Sequence, residues 1–339
     1  MIELHNVDCL EFMKGMEANS VDAIVTDPPY GLSFMGKKWD YEVPGVAVWA
    51  ECLRVLKPGG HLLAFAGTRT QHRMCVNIED AGFEIRDMIA WVYGSGFPKS
   101  HNIAKAVDRE AGERGAVSKR FVAAGGDLPS PDRNYVDPPL VTEAARQWQG
   151  WGTALKPSME PITVARKPLA GTVASNVLQH GTGAINVDGC RVGAREENES
   201  GWSKTGSKAS ENRSMSGSNY DRDAKDEMGT GRWPANLIHD GSEEVVALFP
   251  DVKAGVAVRS NSGGNTFGGD NPKPPMDDMS YGDKGSAARF FYCAKASKAD
   301  RGESNGHPTV KPTELMRYLV RLVTPPGGTV FDPFMGSGS

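Results

Sequence analysis

Thr26-Asp27-Pro28-Pro29-Tyr30 places a carboxylate, a backbone carbonyl and an aromatic face around one point. The apolar run Val21-Asp22-Ala23-Ile24-Val25 before it reads as a buried parallel strand. Two prolines directly after a strand can neither continue the ladder nor start a helix smoothly, so they stiffen a turn. In open α/β sheets the carboxyl ends of the strands are where ligands bind. The set suits a planar ring with an exocyclic amino group. The amine donates to Asp27 and to the Pro28 carbonyl, while the ring stacks on Tyr30.

A second group of such residues stands at the far end. Phe331-Asp332-Pro333-Phe334-Met335-Gly336-Ser337-Gly338-Ser339 follows a short predicted strand, and His307-Pro308-Thr309-Val310-Lys311-Pro312 lies just ahead of it. Gly336 and Gly338 let a backbone pass close to a ligand. N–H groups at a helix start there would favour an anionic end of that ligand. These segments, in this order, resemble the circularly permuted β-type of the DNA amino-methyltransferases, which methylate adenine N6 or cytosine N4 with S-adenosyl-L-methionine. The resemblance covers nearly the whole chain.

The resemblance implies residue roles. Asp27, Pro28, Pro29 and Tyr30 would be catalytic. Asp332, Pro333, Phe334, Gly336 and Gly338 would bind the cofactor, with Asp8 at its adenine and His307, Thr309 and Lys311 along its methionine end. Trp91, Lys99, Lys37 and Lys38 would face the DNA. Three readings stay open from the residues themselves. Asp8 also suits a helix cap, His307 a rigid turn, and Trp91 an ordinary packed hairpin. A second Asp-Pro-Pro at Asp137-Pro138-Pro139 lacks an apolar strand before it and is discounted.

The implied reaction flips the target base out of the stack and moves the methyl group by direct displacement. No cysteine is placed for the covalent route of a cytosine-C5 enzyme. Aspartate in the first motif position favours adenine N6 in the resembled family, with cytosine N4 as the alternative. A protein-glutamine or RNA methyltransferase would place the cofactor motif first. The family continues past this point with a helix, a strand whose acid grips the cofactor ribose, and another helix. The expectation is therefore an incomplete reading frame or fragment with weak cofactor binding and little activity, or a non-catalytic DNA-binding remnant. Expected partners are double-stranded DNA, with a homodimer and a cognate restriction endonuclease as further candidates, in a restriction-modification or phage-borne setting.

Composition is consistent with this. The chain has 339 residues, enough for about two domains on length alone. No apolar run approaches the roughly 20 residues that span a bilayer. The N-terminus lacks a basic and apolar leader, and cytoplasmic placement in a bacterial or phage-infected cell is expected. Cys9, Cys52, Cys75, Cys190 and Cys293 are far apart, which suits reduced thiols rather than disulfides or a metal site. Net charge is −4. Between Ser286 and Arg321, however, seven lysines and arginines stand against three acids. A looser basic group is Lys99, Lys105, Lys119, Arg120, Lys156, Arg166 and Lys167. Such patches can neutralise phosphates, and they also occur on ordinary solvated faces.

The expected fold class is α/β: a Rossmann-like doubly wound methyltransferase sheet, circularly permuted, with a large irregular target-recognition insertion. The pattern predicts strands over Ile2–Val7, Val21–Val25, His61–Ala66, Phe83–Tyr93, Met159–Arg166 and Arg289–Cys293, mostly parallel. Helices are predicted over 10–16, 46–56, 70–81, 102–110 and 313–323. Lys57-Pro58-Gly59-Gly60 reads as a breaker. By composition, residues 1–93 form a catalytic half, 94–157 a loop insertion near the base, 158–168 a returning strand, 169–285 a partly disordered target-recognition region, and 286–339 an incomplete cofactor half.

Overall fold

A computed structural model describes residues 2–32, 40–98, 100–113, 139–193, 231–253, 284–294, 300 and 310–336. The chain divides into two compact units, residues 1–94 with 159–339, and residues 95–158.

The first unit is built on a mixed sheet. Its strands are β1 (Val21–Thr26), β2 (Leu56–Phe65), β3 (Glu84–Val92), β4 (Met159–Arg166), β5 (Leu237–His239), β8 (Tyr292–Cys293) and β9 (Val330–Phe331), in the order β8-β5-β3-β4-β2-β1-β9. β6 (Asp251–Lys253) and β7 (Lys284–Ser286) form a separate antiparallel pair. Helices α1 (Cys9–Lys14), α2 (Val46–Val55), α3 (Gln71–Asp80), α6 (Val173–His180), α7 (Glu243–Val246) and α8 (Thr313–Val323) complete the unit.

Every residue of β1 is buried, as its apolar run predicts. Side chains alternate between two cores because a strand's period is two. Ala23, Val25, Leu63 and Phe65 face a core shared with Leu315, Tyr318, Leu319, Leu322 and Val323 of α8. Ile24, Leu62 and Ala64 face the other, with Trp49, Cys52 and Val55 of α2 and Met74 and Ile78 of α3. The five α8 residues recur at helical spacing, and burying an aliphatic side chain of this kind contributes about 1.5–3 kcal/mol. Asp22 is tolerated in the buried strand because Lys57 lies 2.6 Å away and the Thr329 N–H donates to it at 2.8 Å. That pair ties β1 to its two neighbours.

Three expectations need correction. Ile2–Val7 forms no strand and is exposed. The edge strand on that side of the sheet, β9, comprises only Val330 and Phe331. Lys57-Pro58-Gly59-Gly60 does not end an element before β2. The strand runs through it as a bulge, with Val21 opposite Leu56 and Ala23 opposite His61. Gly59, at φ +77°, donates to the Lys167 carbonyl, and Gly60 accepts from Lys167 N–H. The returning strand keeps the direction its hairpin implies, and the other strands of the sheet run parallel to one another. β4 runs antiparallel to both β2 and β3 and lies between them. Its first residues therefore sit at the edge where β1 and β2 end, and the Ala66 N–H donates to the Pro161 carbonyl there. Arg289 lies in a 3₁₀ turn rather than a strand, and only Tyr292 and Cys293 pair.

The second unit holds α4 (Ile103–Glu110) and α5 (Glu143–Gln147). Asp108 accepts from the N–H groups of Val141 and Thr142 and from the Thr142 hydroxyl, fixing α5 against α4. Trp148 and Trp151 meet edge to face at 5.2 Å.

Candidate active site

The turn after β1 is held from several directions. Asp40 is buried, and its carboxylate accepts the N–H groups of Tyr30, Gly31 and Leu32 at 2.8, 2.9 and 3.2 Å. Thr70 Oγ1 donates to the Tyr30 carbonyl at 2.6 Å. Gly31 has φ +66°, and a Cβ there would come within 2.9 Å of the Val43 backbone nitrogen, so the turn is closed to other residues. Pro28 is buried, and Asp27, Pro29 and Tyr30 are partly exposed.

The side chains of this turn meet residues far away in sequence. The Tyr30 hydroxyl lies 2.7 Å from Asp27 Oδ1 and 2.9 Å from Glu160 Oε2. Lys311 Nζ donates to Asp27 Oδ2 at 2.8 Å and to the Tyr30 hydroxyl at 3.1 Å, and it is 3.1 Å from Glu160 Oε2. Its ammonium also lies over the rings of Phe65 at 5.0 Å and Tyr30 at 5.4 Å. Lys311 is only 5 % exposed. Burial opposes its charge, but Asp27 and Glu160 outweigh that and hold its pKa above the ordinary value. Burial, followed by the same two carboxylates, pushes the Tyr30 phenol well up. Tyr93, at the end of β3, is raised by burial and by its hydrogen bond to Glu160.

Glu160 reaches this point because β4 is antiparallel, which brings its start beside the end of β1. Sequence reasoning passed over it. The available hint was a carboxylate before Pro161 in an otherwise apolar strand. Asp40 was missed as well, since its role is to accept backbone donors and its neighbours in sequence give no pattern for that.

The glycine turn is built more locally. Asp332 follows β9, and its Oδ1 accepts the Phe334 N–H at 2.9 Å and the Thr26 hydroxyl. Burial raises the Asp332 pKa, the Thr26 hydroxyl and the Phe334 N–H pull it back, and nearby Asp27 adds to the rise. Phe334 packs near Trp49, with ring centroids 6.1 Å apart. Gly336 has φ +58°, and among the described residues the only neighbour a Cβ there would meet is the Phe334 carbonyl, at 3.8 Å. Met335 is exposed.

The remaining predicted residues divide three ways. Asp8 is exposed and accepts the Glu11 N–H at 3.1 Å, so it caps α1. Trp91 is buried in the core, 4.9 Å from the Tyr93 ring and paired across the sheet with Glu160. Lys37, Lys38, Lys99, His307, Thr309 and Gly338 lie outside the described residues. Among the described residues no cluster of His, Cys, Asp or Glu could hold a metal ion. No helix there is long and apolar enough to cross a membrane.

Comparison with known proteins adds a family. Residues 21–339 match the model of the N6/N4 methyltransferases, described as DNA methylase. Type II methyltransferase M.HindIII of Haemophilus influenzae is 26 % identical over 227 residues, covering 54 % of this chain and 64 % of the relative. Type II methyltransferase M.HpaI of Haemophilus parainfluenzae is 30 % identical over 112 residues, or 30 % of this chain and 35 % of the relative. The chain thus spans less than two thirds of these relatives. Among solved structures, the M1.HpyAVI–SAM complex has a TM-score of 0.27 at 18 % identity, covering 59 % of this chain and 61 % of that one. The cytosine-N4-specific PvuII DNA methyltransferase has 0.26 at 14 %, covering 48 % and 47 %. Likeness at that level carries no argument, and the fold rests on the strand order itself.

Proposed function

The chain belongs to the DNA methylase family, and we propose that it transfers a methyl group from S-adenosyl-L-methionine to the exocyclic N6 of adenine in duplex DNA. The observation that carries this reading is the anchored Asp27-Pro28-Pro29-Tyr30 turn, with a partly exposed carboxylate, a fixed carbonyl and a tethered aromatic ring at one strand end. Aspartate at the first position of that motif, in a family that covers both N6 and N4 methylation, favours adenine.

The residues present fit the cofactor. Gly336 leaves its backbone open to close approach. Asp332 and Asp27 put carboxylates beside each other at adjacent strand ends, which suits a cationic ligand. When bound, S-adenosyl-L-methionine supplies a methyl group activated by a sulfonium. Asp332, Pro333, Phe334 and Gly336 would hold it.

This chain's own contribution is positioning and charge. Asp27 and the Pro28 carbonyl accept the N–H bonds of the target amine, which draws its lone pair out of ring conjugation. Tyr30 presents a stacking face worth roughly 1–3 kcal/mol. The positive charge that develops on the nitrogen is stabilised by the same two acceptors, which are already in place before reaction. The proton shed by the methylated amine leaves toward Asp27.

The test is transfer of labelled methyl to unmethylated duplex DNA, followed by digestion to nucleosides. Label in N6-methyladenine is expected. Label in N4-methylcytosine would keep the mechanism and change the base. No label in either nucleoside would sink the reading.

A further inference from the structure

Lys311 lies in the segment expected to line the methionine end of the cofactor, yet its ammonium bonds Asp27, at the amine-accepting turn. Three charged side chains from three separate segments meet there: Asp27 after β1, Glu160 on β4 and Lys311 ahead of α8. One ammonium faces two carboxylates, so the cluster carries a net charge of −1. The single Tyr30 hydroxyl proton stands between the same two carboxylates. Both oxygens of Asp27 are thereby engaged, Oδ1 by Tyr30 and Oδ2 by Lys311.

This arrangement has a consequence for the reaction. Two carboxylates sharing a partly buried site repel. The ammonium between them offsets that repulsion and holds the Asp27 side chain beside the turn. When the amine claims Asp27, Lys311 has Glu160 within reach as its second partner. Glu160 also holds the Tyr30 hydroxyl, and with it the orientation of the stacking ring.

We propose that Lys311 and Glu160 are positioning residues for methyl transfer. Lys311 holds the Asp27 carboxylate in place and yields it to the incoming amine, while Glu160 receives Lys311 and fixes Tyr30. The role rests on the methyltransferase reading of the preceding section.

The test is a double-mutant cycle in the full chain, with Lys311→Met, Glu160→Gln and both together. Lys311→Met leaves two carboxylates without their cation, and kcat should fall about 100-fold with KM for DNA nearly unchanged. The double variant restores the net charge of −1 that the intact trio carries, and should recover about tenfold of that loss. Lys311→Arg keeps a cation between the two carboxylates and should retain most of the wild-type kcat. The groups facing Asp27 are Tyr30 on its own turn, Lys311, Glu160 with Tyr93 behind it, and Asp332.

Additive losses in the cycle, or a Lys311→Arg variant no more active than Lys311→Met, would overturn the proposal while leaving the reaction intact. A wild-type protein that transfers no methyl overturns the reaction instead. The cycle is then read in melting temperature, where a double variant more stable than Lys311→Met supports the cluster and additivity overturns it.

Discussion

The two turns at the edge of the sheet are held in different ways. The Asp27-Pro28-Pro29-Tyr30 turn is fixed by partners up to 284 residues away in sequence: Asp40, Thr70, Glu160 and Lys311. The turn at Asp332 to Gly336 is held mainly by the Asp332 carboxylate, which accepts the Phe334 N–H within the turn and has Thr26 as its one long-range hydrogen bond among the described residues. The difference suits the proposed division of labour. A turn that accepts a small amine must have its acceptors in place beforehand, because any reorganisation adds to the barrier. A turn that lies along an extended cofactor needs open backbone more than fixed side chains.

That contrast can be broken at its strongest point first. Asp27→Ala removes the acceptor itself, and on the proposed reaction it should lower transfer by about 10³-fold or more. Cofactor affinity, measured by equilibrium binding, should change little. Equal loss of both would mean that Asp27 serves the cofactor instead. Asp40→Ala attacks the same turn through its backbone. It leaves three N–H groups without their carboxylate, at about 1–3 kcal/mol for each that stays unsatisfied. After water repairs some of these, a loss of about 3 kcal/mol in chemical denaturation is expected, with Asp40→Asn losing less because one acceptor oxygen remains.

Thr26→Val severs the link between the two turns. Removing a hydroxyl donor from a half-buried carboxylate should cost about 2 kcal/mol. Asp332 already titrates above its ordinary value because it is buried, and losing the Thr26 donor raises it further. A raised folded pKa means the folded carboxylate is the poorer acid, so the extra destabilisation should appear above the unfolded pKa, where Asp332 must ionise, and fade at lower pH. A penalty constant with pH would place the effect in packing and not in charge.

How much of this was legible in the sequence follows the same division. The buried run Val21–Thr26, the proline turn and the α8 periodicity are local patterns, and each lies where its residues predict. The antiparallel return of β4 after the Trp91 strand reads as a hairpin, but its insertion between β3 and β2 is not local and depends on which strands find each other. Glu160 becomes a site residue only through that choice, so no motif around it could reveal its partners. Lys311 was singled out by its motif but assigned to the cofactor, because a sequence order cannot say which strand end a loop crosses. The bulge at Lys57-Pro58-Gly59-Gly60 was misread for a related reason. Proline and glycine mark irregular backbone, and a bulge satisfies that mark as well as a break does.

The smallest expected effect tests the last open residue. Asp8 is exposed and caps α1, accepting the Glu11 N–H. If capping is its whole role, Asp8→Ala should cost about 1 kcal/mol of stability, and Asp8→Ser should restore most of it, since serine also caps. Cofactor affinity should stay the same in both. If Asp8 instead contacts the adenine of the cofactor, serine would rescue the melt but not the binding. Affinity would fall about tenfold or more in both variants, the equivalent of roughly 1.4 kcal/mol. The two roles predict different rescue by the same substitution, so one pair of variants separates a helix cap from a ligand contact. That result also decides whether the cofactor side is as locally built as the Asp332 turn suggests.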